Sequence, residues 1–352
     1  MNYYKKLLDI RKIREALQDE ESETLFDARI NYMINRNEEQ YYKVLDTLNK
    51  EWYCQEVKDI LEKIDVKGII IFGSGHDGRR IKKILEDCKY FPKMFCDSDV
   101  AKVGKKIDGI EVISINTLVR KYFDYLVIIG SKIYGEEMYH ILISNSYPEK
   151  NILYPQHGII VAQTGKQYFD VWTPLEKEVY VDGGAYNGDT VLDFVTWTHK
   201  DYQKIFIFEP VDEMERCISQ ILDKEKVNNT ILYKNALWNK VEKLSFIEND
   251  SGSHISMIGE SKVQGVNLDE IVQDEKITFI KMDIEGSELK ALEGAKNTIM
   301  KNKPRLAICI YHKPEDIIEL PLYILDLVPE YKFHIRHYCS NMWETVLYAS
   351  IE

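Results

Sequence analysis

The stretch Val179-Tyr-Val-Asp-Gly-Gly-Ala-Tyr-Asn-Gly-Asp-Thr190 decides the fold of the C-terminal half of the chain. A short apolar strand pattern ends at Asp182, and a turn follows in which Gly188 stands four residues after Gly184. A glycine-rich turn after a strand lets a ligand lie against the backbone, and the aspartate can bind a cationic or hydroxyl-bearing group. The stretch therefore predicts the first strand-turn-helix unit of a ligand-binding α/β sheet.

Short apolar runs follow this unit, and helical patterns lie between most of them. The strand candidates are 179–181, 205–208, 231–233, 244–247, 278–282 and 306–310. Two more candidates, 331–338 and 345–350, are joined by a connector too short for a crossover helix, which predicts an antiparallel pair. The pattern therefore predicts a mixed, mostly parallel sheet with an antiparallel end.

Four polar residues stand at the carboxyl ends of strand candidates: Asp182, Glu209, Asn235 and Asp283. Ligands of open α/β sheets bind at this edge. Glu209 comes 21 residues after Gly188, where a carboxylate could take both ribose hydroxyls of an adenosine. Asn235 and Ala236 follow the third strand candidate, where an adenine edge would lie. The alternative is a chance set of helix caps and turn formers, because Asp and Asn favour such positions.

A second glycine-rich turn lies nearer the N-terminus. The pattern Gly73-x-Gly75-x-x-Gly78 follows an apolar strand candidate and opens a helical pattern, as in dinucleotide-binding proteins. Asp97 comes 19 residues after Gly78, where a ribose-binding carboxylate would lie. Two interpretations stay open: a nucleotide or nucleotide-sugar ligand at these four residues, or a domain of the same shape that holds no ligand.

The composition excludes several classes of protein. The 352 residues are 45% hydrophobic and 30% charged, which is enough apolar material for two cores and excludes wholesale disorder. A net charge of −12 disfavours general binding to nucleic acid or anionic membranes, because both need a basic surface. No apolar run approaches membrane-spanning length, and the N-terminus lacks the apolar centre of a signal peptide. With six scattered cysteines, these features predict a cytoplasmic protein.

The ordered motifs of the C-terminal half resemble one family. They are Asp182-x-Gly184-x-x-x-Gly188, Glu209-Pro210, Asn235-Ala236, Leu268-Asp269 and Lys281-Met-Asp283-Ile-Glu285-Gly286-x-Glu288. In this order they resemble the FkbM family of S-adenosylmethionine-dependent methyltransferases. The resemblance runs from about residue 178 to the end of the chain, and the block that starts at Lys281 is its most specific part.

The resemblance implies a fold, a cofactor and a reaction. The expected fold is a class I, Rossmann-like methyltransferase domain with a seven-stranded sheet, preceded by a smaller Rossmann-like domain and a helical leader. The expected reaction is methylation of a hydroxyl group on a carbohydrate or nucleotide-sugar acceptor in cell-surface glycan biosynthesis. S-adenosylmethionine would be bound by Asp182, Gly183, Gly184, Ala185, Gly188, Asp189, Thr190, Glu209, Pro210, Asn235, Ala236 and Asp283.

The predicted organisation has four segments. A helical leader spans 1–63, where Gly and Pro are absent, and a Rossmann-like domain spans 64–155. A connection at 156–178 leads to the methyltransferase domain at 179–352. Two interpretations of the leader stay open, because it could pack on the next domain or form a homo-oligomer.

A sugar hydroxyl is a poor nucleophile, so a base near the methyl group is expected. Asp283, at the end of a strand, could orient the hydroxyl or accept its proton, and Glu285 opens the next loop. Three histidines compete as the base: His312 after the strand candidate 306–310, His337 on a late strand and His254 in a polar loop. The two acids are hard ligands for a divalent metal, but the sequence shows no complete ligand set, so no metal is predicted.

Two other functions stay open as alternatives. The first is an oxidoreductase that binds a nicotinamide cofactor at the turn from Gly73 to Gly78. The second is a non-catalytic binding or scaffold protein that has the fold and no turnover. Binding of S-adenosylmethionine rather than NADH would exclude the first, and turnover on an acceptor would exclude the second.

Overall fold

The structure is a computed structural model that describes residues 3–131, 133–154, 167–247, 253–256, 259–339 and 341–351. The chain divides into two compact units. The first unit comprises residues 1–41, 165–338 and 342–352, and the second comprises 42–164 and 339–341. Residues 156–166 of the predicted connection at 156–178 lie outside the described residues.

Four helices precede the first strand: α1 (Tyr3–Ala16), α2 (Glu20–Asn35), α3 (Glu38–Leu48) and α4 (Lys50–Leu61). Helix α2 begins at a typical N-cap, because the Asp19 side chain accepts a hydrogen bond from the Ser22 amide at 2.8 Å. Helices α1 and α2 belong to the first unit and α4 to the second, while α3 contains residues of both. The contacts therefore divide the predicted leader at residue 41.

The second unit is a parallel α/β sheet. Its strands are β1 (Ile69–Phe72), β2 (Met94–Cys96), β3 (Lys106–Ile107), β4 (Ile110–Ile113), β5 (Leu126–Ile129) and β6 (Ile152–Leu153), in the order β3-β4-β2-β1-β5-β6. Only the short β3 is antiparallel to its neighbour. The helices are α5 (His76–Asp87), α6 (Ile115–Lys121) and α7 (Gly135–Ser144). The predicted second Rossmann-like sheet is confirmed.

The glycine-rich turn after β1 is tied to the end of β2. A Cβ on Gly78 would collide with the carbonyl oxygen of Gly73, so only glycine lets α5 pack this close to the turn. The Asp97 carboxylate is buried, and it accepts hydrogen bonds from the Ser74 amide at 2.9 Å and from Lys102 Nζ at 3.1 Å. The described contacts of Asp97 thus stabilise the turn, and the nucleotide ligand predicted there stays a prediction.

The first unit contains the remaining elements of the chain. Its strands are β7 (Glu178–Gly183), β8 (Tyr202–Phe208), β9 (Thr230–Tyr233), β10 (Ala236–Trp238), β11 (Glu242–Ile247), β12 (His254–Ile255), β13 (Ser261–Asn267), β14 (Phe279–Met282), β15 (Arg305–Cys309), β16 (Lys332–His337) and β17 (Thr345–Ser350). Its helices, besides α1 and α2, are α8 (Asp189–Trp197), α9 (Asp212–Glu225), α10 (Leu268–Val272), α11 (Glu288–Gly294), α12 (Lys296–Asn302) and α13 (Asp316–Leu327).

Seven of these strands form the main sheet, in the order β16-β17-β15-β14-β7-β8-β9. The five strands from β15 to β9 are parallel, and β17 is antiparallel to both of its neighbours. Every residue of β7, β14, β15 and β17 is buried, as expected of strands covered on both faces. The predicted mixed seven-stranded sheet and its antiparallel end are confirmed.

A separate four-stranded sheet has the order β10-β13-β11-β12. The strand candidate at 244–247 belongs to this sheet as part of β11, and not to the main sheet. From Leu244 to Ile247, β11 alternates buried and half-exposed residues, so one face of this strand is packed and the other is more open. No helix in the described part of the chain is both long and apolar enough to cross a membrane.

Helix α2 covers the edge strand β16 of the main sheet. The Ser22 hydroxyl accepts a hydrogen bond from the Ile335 amide at 2.9 Å, and Arg336 donates to both carboxylate oxygens of Asp19 at 3.2 and 2.6 Å. These bonds satisfy backbone and side-chain groups that an open edge would leave to solvent or to another chain. The oligomerisation predicted through the leader stays a prediction.

We expect Asp19→Asn to lower the free energy of unfolding at pH 7 by about 1 kcal/mol, because asparagine keeps the N-cap but removes the charge facing Arg336. Burial raises the pKa of Asp19, but the bonds from Arg336 and Ser22 outweigh it and hold the pKa well below its usual range. A lowered folded-state pKa stabilises the protein above the unfolded pKa, and that contribution is lost as the pH falls.

The difference between wild type and Asp19→Asn should therefore shrink as the pH falls below about 4. Denaturant unfolding at pH 7 and at lower pH measures it. Asp27→Asn is the matched control, since Asp27 lies on α2 as well and forms a half-exposed ion pair with Arg14 of α1. A pH-independent difference for Asp19→Asn would contradict the assignment.

Candidate active site

The turn after β7 and the loop after β14 are in direct contact. Gly184 has a φ of +75°, and a Cβ at this position would collide with the carbonyl oxygen of Asp283. The pairing of β7 with β14 places Asp182 opposite Lys281 and Gly183 opposite Met282, which brings the two strand ends level. The predicted cofactor turn and the predicted catalytic aspartate therefore meet at one point of the sheet edge.

A buried ion pair holds this turn. Lys281, on β14, is almost fully buried and donates from Nζ to Asp182 Oδ1 at 3.0 Å and to the Gly184 carbonyl at 2.6 Å. The other oxygen, Asp182 Oδ2, accepts from the Thr190 hydroxyl at 2.5 Å. Burial lowers the pKa of Lys281, but the carboxylates of Asp182 and Asp283 raise it above its usual value. The ion pair between Asp182 and Lys281 thus holds the turn in place, although the sequence motif assigned no role to Lys281.

Glu209 lies at the end of β8, against the same turn. Its carboxylate accepts hydrogen bonds from the amides of Tyr186 and Val211, each at 2.9 Å. Burial is the main reason that its pKa is raised above its usual value. Each carboxylate oxygen has a second lone pair, so these two bonds leave acceptor capacity for hydroxyl groups.

The other predicted cofactor residues lie around these carboxylates. Gly183 and Ala185 are buried within the turn, and Asp189 is exposed where α8 begins. Asn235, after β9, is half-buried and donates from its side-chain amide to the Gln264 carbonyl at 3.2 Å. Gly188 is the N-cap of α8, Pro210 follows Glu209 directly, and Ala236 begins β10.

Two tyrosines hold the Asp283 carboxylate. The Tyr168 hydroxyl donates to Oδ2 at 2.8 Å, and the Tyr311 hydroxyl donates to Oδ1 at 3.2 Å. The Asp283 side chain remains 22% exposed. Burial raises its pKa, but His312, Lys281 and the bond from Tyr168 outweigh this and leave the pKa below the usual range. Asp283 is therefore an ionised carboxylate whose orientation is fixed.

His312 is the predicted histidine that the structure brings to Asp283. Its Nε2 lies 3.4 Å from Asp283 Oδ1 and 3.5 Å from Glu285 Oε2, and its Nδ1 lies 3.0 Å from Glu288 Oε1. Burial lowers the pKa of His312, but the bond and charge of Glu288 and the two other acids raise it to about 9. Burial also raises the pKa of Glu285.

The other two histidines lie elsewhere. His337 is buried on β16 with Nδ1 2.8 Å from the Thr345 hydroxyl, and three strand spacings, about 14 Å, separate β16 from β14. His254 lies on β12 of the smaller sheet and contributes to the electrostatic environment of Glu285. The structure thus places His312 in the Asp283 cluster, His254 near its border and His337 outside it.

Several residues of the cluster have no counterpart in the sequence prediction. Gln167 donates from its side-chain amide to the Tyr168 hydroxyl at 2.9 Å and to Glu344 Oε2 at 2.7 Å. Burial raises the pKa of Glu344 to about 7. Residues 167 and 168 fall in the segment predicted to be only a connection, and no local motif marks them. Of the cluster residues that the sequence prediction missed, Tyr311 is the one that its position marks, because it directly precedes His312.

Comparison with known proteins shows what the chain is similar to. Residues 182–335 match the family model described as the methyltransferase FkbM domain. The crystal structure of methyltransferase FkbM from Methylobacillus flagellatus KT aligns over 94% of this chain and 99% of that chain, with 17% identity and a TM-score of 0.52. At this identity the structural likeness concerns the fold, and it extends through both units.

Two further solved structures are similar over about half of the chain. An rRNA methylase from Streptococcus thermophilus aligns over 51% of this chain and 90% of its own, with 17% identity and a TM-score of 0.35. A SAM-dependent methyltransferase from Aquifex aeolicus aligns over 51% of this chain and 86% of its own, with 17% identity and a TM-score of 0.31. A search of curated proteins finds no significant match.

We expect Lys281→Met to lower the free energy of unfolding by about 3–5 kcal/mol, because it leaves the carboxylate of Asp182 buried without its cation. Denaturant unfolding of purified protein measures the change. Lys204→Met is the matched control, because Lys204 pairs with Glu275 where both side chains are about one-third exposed. Equal losses in the two variants would show that the buried pair does not hold the turn.

Proposed function

We propose, from the match of residues 182–335 to the FkbM methyltransferase family model, that the protein is an S-adenosylmethionine-dependent enzyme that methylates a hydroxyl oxygen of a carbohydrate or nucleotide sugar. In this reaction a lone pair of the hydroxyl oxygen forms a bond to the methyl carbon. The bond between that carbon and the sulfonium sulfur breaks, and its electron pair stays on sulfur. The products are the methyl ether, S-adenosylhomocysteine and a proton.

The observation that carries the proposal is the ionised Asp283 carboxylate beside the glycine-rich turn. A base that accepts the hydroxyl proton must be charged before the reaction and must lie within hydrogen-bonding reach of the acceptor. The lowered pKa of Asp283 meets the first condition, and its partial exposure at the sheet edge supports the second. Tyr168 and Tyr311 fix the carboxylate, which favours one approach of the acceptor oxygen to the methyl group.

The cofactor side of the proposal uses the turn and Glu209. We assign the backbone from Gly183 to Gly188 to the amino-acid part of S-adenosylmethionine and Glu209 to the ribose hydroxyls. The support is that Glu209 lies against this turn with acceptor capacity left on both oxygens. In this arrangement the adenine would lie beyond β9, near Asn235.

A sugar acceptor is supported by an aromatic surface beside the catalytic cluster. The Trp343 ring is 51% exposed, and its centroid lies 6.4 Å from that of Tyr311, which contacts Asp283. The apolar C–H face of a sugar ring packs on such an aromatic face while its hydroxyls stay free for hydrogen bonds. A small charged acceptor would not need such an aromatic surface.

The order of segments supports a role in cell-surface glycan biosynthesis. A helical leader and a Rossmann-like sheet ahead of the methyltransferase domain resemble a subset of the family linked to such glycans. The reaction would take place in the cytoplasm, where nucleotide sugars are available as acceptors.

Glu209→Gln should weaken the binding of S-adenosylmethionine at least 10-fold, because a charged acceptor for the ribose hydroxyls becomes a neutral amide. Isothermal titration calorimetry measures the affinity. Glu275→Gln, near the amino end of the parallel strands, is the matched control and should bind as wild type does. An unchanged affinity in Glu209→Gln would remove this residue from the cofactor site.

Asp283→Asn should bind S-adenosylmethionine with nearly wild-type affinity and lose turnover about 100-fold or more, because the amide cannot accept the hydroxyl proton. The assay incubates enzyme and cofactor with a panel of nucleotide sugars and oligosaccharides, and mass spectrometry detects the gain of one CH₂ unit. The control, Asp326→Asn, changes an exposed carboxylate that pairs with Lys12. Methylation of non-carbohydrate hydroxyls alone would reject the acceptor class, and normal turnover in Asp283→Asn would reject the base.

A further inference from the structure

We infer that Asp283, Glu285 and His312 bind one divalent first-row cation of the Mn²⁺ type on the acceptor side of the site. The inference deepens the proposed function, on which its place in the reaction depends. Metal binding itself can be measured without any acceptor. One ligand atom from each of the three side chains lies within 4.8 Å of the other two.

The distances suit a metal between the side chains better than direct hydrogen bonds. Nε2 of His312 lies 3.4 Å from Asp283 Oδ1 and 3.5 Å from Glu285 Oε2. Ligand atoms bonded at about 2.1 Å to one metal ion are about 3.0 Å apart in an octahedral arrangement and about 3.4 Å apart in a tetrahedral one. A hydrogen bond from a ring nitrogen to oxygen is shorter, typically about 2.7–3.2 Å.

The imidazole is buried, and its Nε2 faces this position. The His312 side chain is only 6% exposed, and neither ring nitrogen makes a hydrogen bond of good geometry to a described residue, although Nδ1 lies 3.0 Å from Glu288 Oε1. A buried nitrogen without a partner is costly, so it indicates a partner that is not a side chain. Without a metal ion the neighbouring acids keep His312 protonated, and a divalent cation bound at Nε2 would replace that proton.

Glu288 supplies the support that a metal-binding histidine usually has. Its carboxylate is almost fully buried, lies 3.0 Å from His312 Nδ1, and is held by a 3.0 Å hydrogen bond from the Ile284 amide. A carboxylate that accepts the Nδ1 proton leaves Nε2 as the metal ligand and fixes the plane of the ring. The sequence alone gives this residue the ordinary role of an acid in the first turn of a helix.

The charges of the cluster also favour a dication. Three carboxylates, those of Asp283, Glu285 and Glu288, surround one imidazole. A single proton on His312 would offset one negative charge, whereas a divalent cation offsets two. One nitrogen and two oxygen ligands suit Mn²⁺ or Zn²⁺ better than Mg²⁺, which prefers oxygen ligands and keeps its waters.

A cation here would bind the acceptor oxygen and stabilise the negative charge that develops on it. Two neighbouring sugar hydroxyls could occupy the positions that the protein leaves open. Coordination through Asp283 Oδ1 leaves Oδ2, the oxygen bound by Tyr168, to accept the proton. The two roles proposed for Asp283 are therefore compatible.

The test titrates chelator-treated full-length protein with Mn²⁺ and follows free Mn²⁺ by electron paramagnetic resonance. We expect one saturable site per chain, and at least 10-fold weaker binding in His312→Gln and in Glu285→Gln. His140→Gln is the matched control, since His140 is exposed and lies 3.8 Å from Glu136 on α7. Glu288→Gln should weaken Mn²⁺ binding through His312, by a similar factor.

Calorimetry with S-adenosylmethionine distinguishes loss of the metal site from loss of folding, because a variant that binds the cofactor as wild type does is folded. The inference is overturned by absent saturable Mn²⁺ binding in wild type, or by wild-type affinity in both folded variants, His312→Gln and Glu285→Gln. Stoichiometric Mn²⁺ binding without carbohydrate methylation would support the metal site and reject the proposed acceptor. Carbohydrate methylation by chelator-treated protein that shows no saturable Mn²⁺ binding would support the proposed acceptor and reject the metal site.

Discussion

The close approach of Gly184 to the carbonyl of Asp283 constrains the edge of the main sheet at which the candidate site lies. It requires glycine at the turn, level ends of β7 and β14, and a loop after β14 that cannot move without moving the turn. The proposed cofactor surface and the proposed base are thus two sides of one backbone contact. Alignment of methyl carbon, sulfur and acceptor oxygen in a displacement depends on this kind of rigid juxtaposition.

Lys281 adds an electrostatic link to this contact. Its ammonium neutralises Asp182 below the turn, and the same charge helps to hold the pKa of Asp283 low. A buried lysine with two acidic neighbours keeps its proton, so the turn stays fixed while the neighbouring carboxylate stays ionised. The edge above remains rich in acids, which suits the sulfonium charge of S-adenosylmethionine and the cation inferred between Asp283 and His312.

The sequence was sufficient for the sheet and for the edge at which the candidate site is proposed, and insufficient for the residues that surround Asp283. Apolar runs that end in Asp182, Glu209 and Asp283 identify the strands and their carboxyl edge, because burial and strand polarity leave a local signal. Tyr168 and Glu344 leave no such signal, since their roles come from packing between segments far apart in the chain. For the same reason, the membership of α1 and α2 in the first unit could not be read from the periodicity of the leader.

The two glycine-rich turns show why similar patterns need not serve similar ends. In the second unit Gly78 packs against Gly73 of its own turn, and Asp97 is bonded to Ser74 of that turn, so glycine and acid stabilise one local structure. In the first unit the contact made possible by Gly184 is with the next strand's loop, and Lys281 takes over the anchoring of Asp182. Because Lys281 lies below the turn, the carboxylates of Glu209 and Asp283 can accept further hydrogen bonds at the carboxyl edge of the main sheet. Asp97 also contacts a lysine, Lys102, but that side chain is partly exposed, whereas Lys281 is buried below its turn; the burial of the cation, rather than the glycine pattern, is therefore what distinguishes the C-terminal sheet.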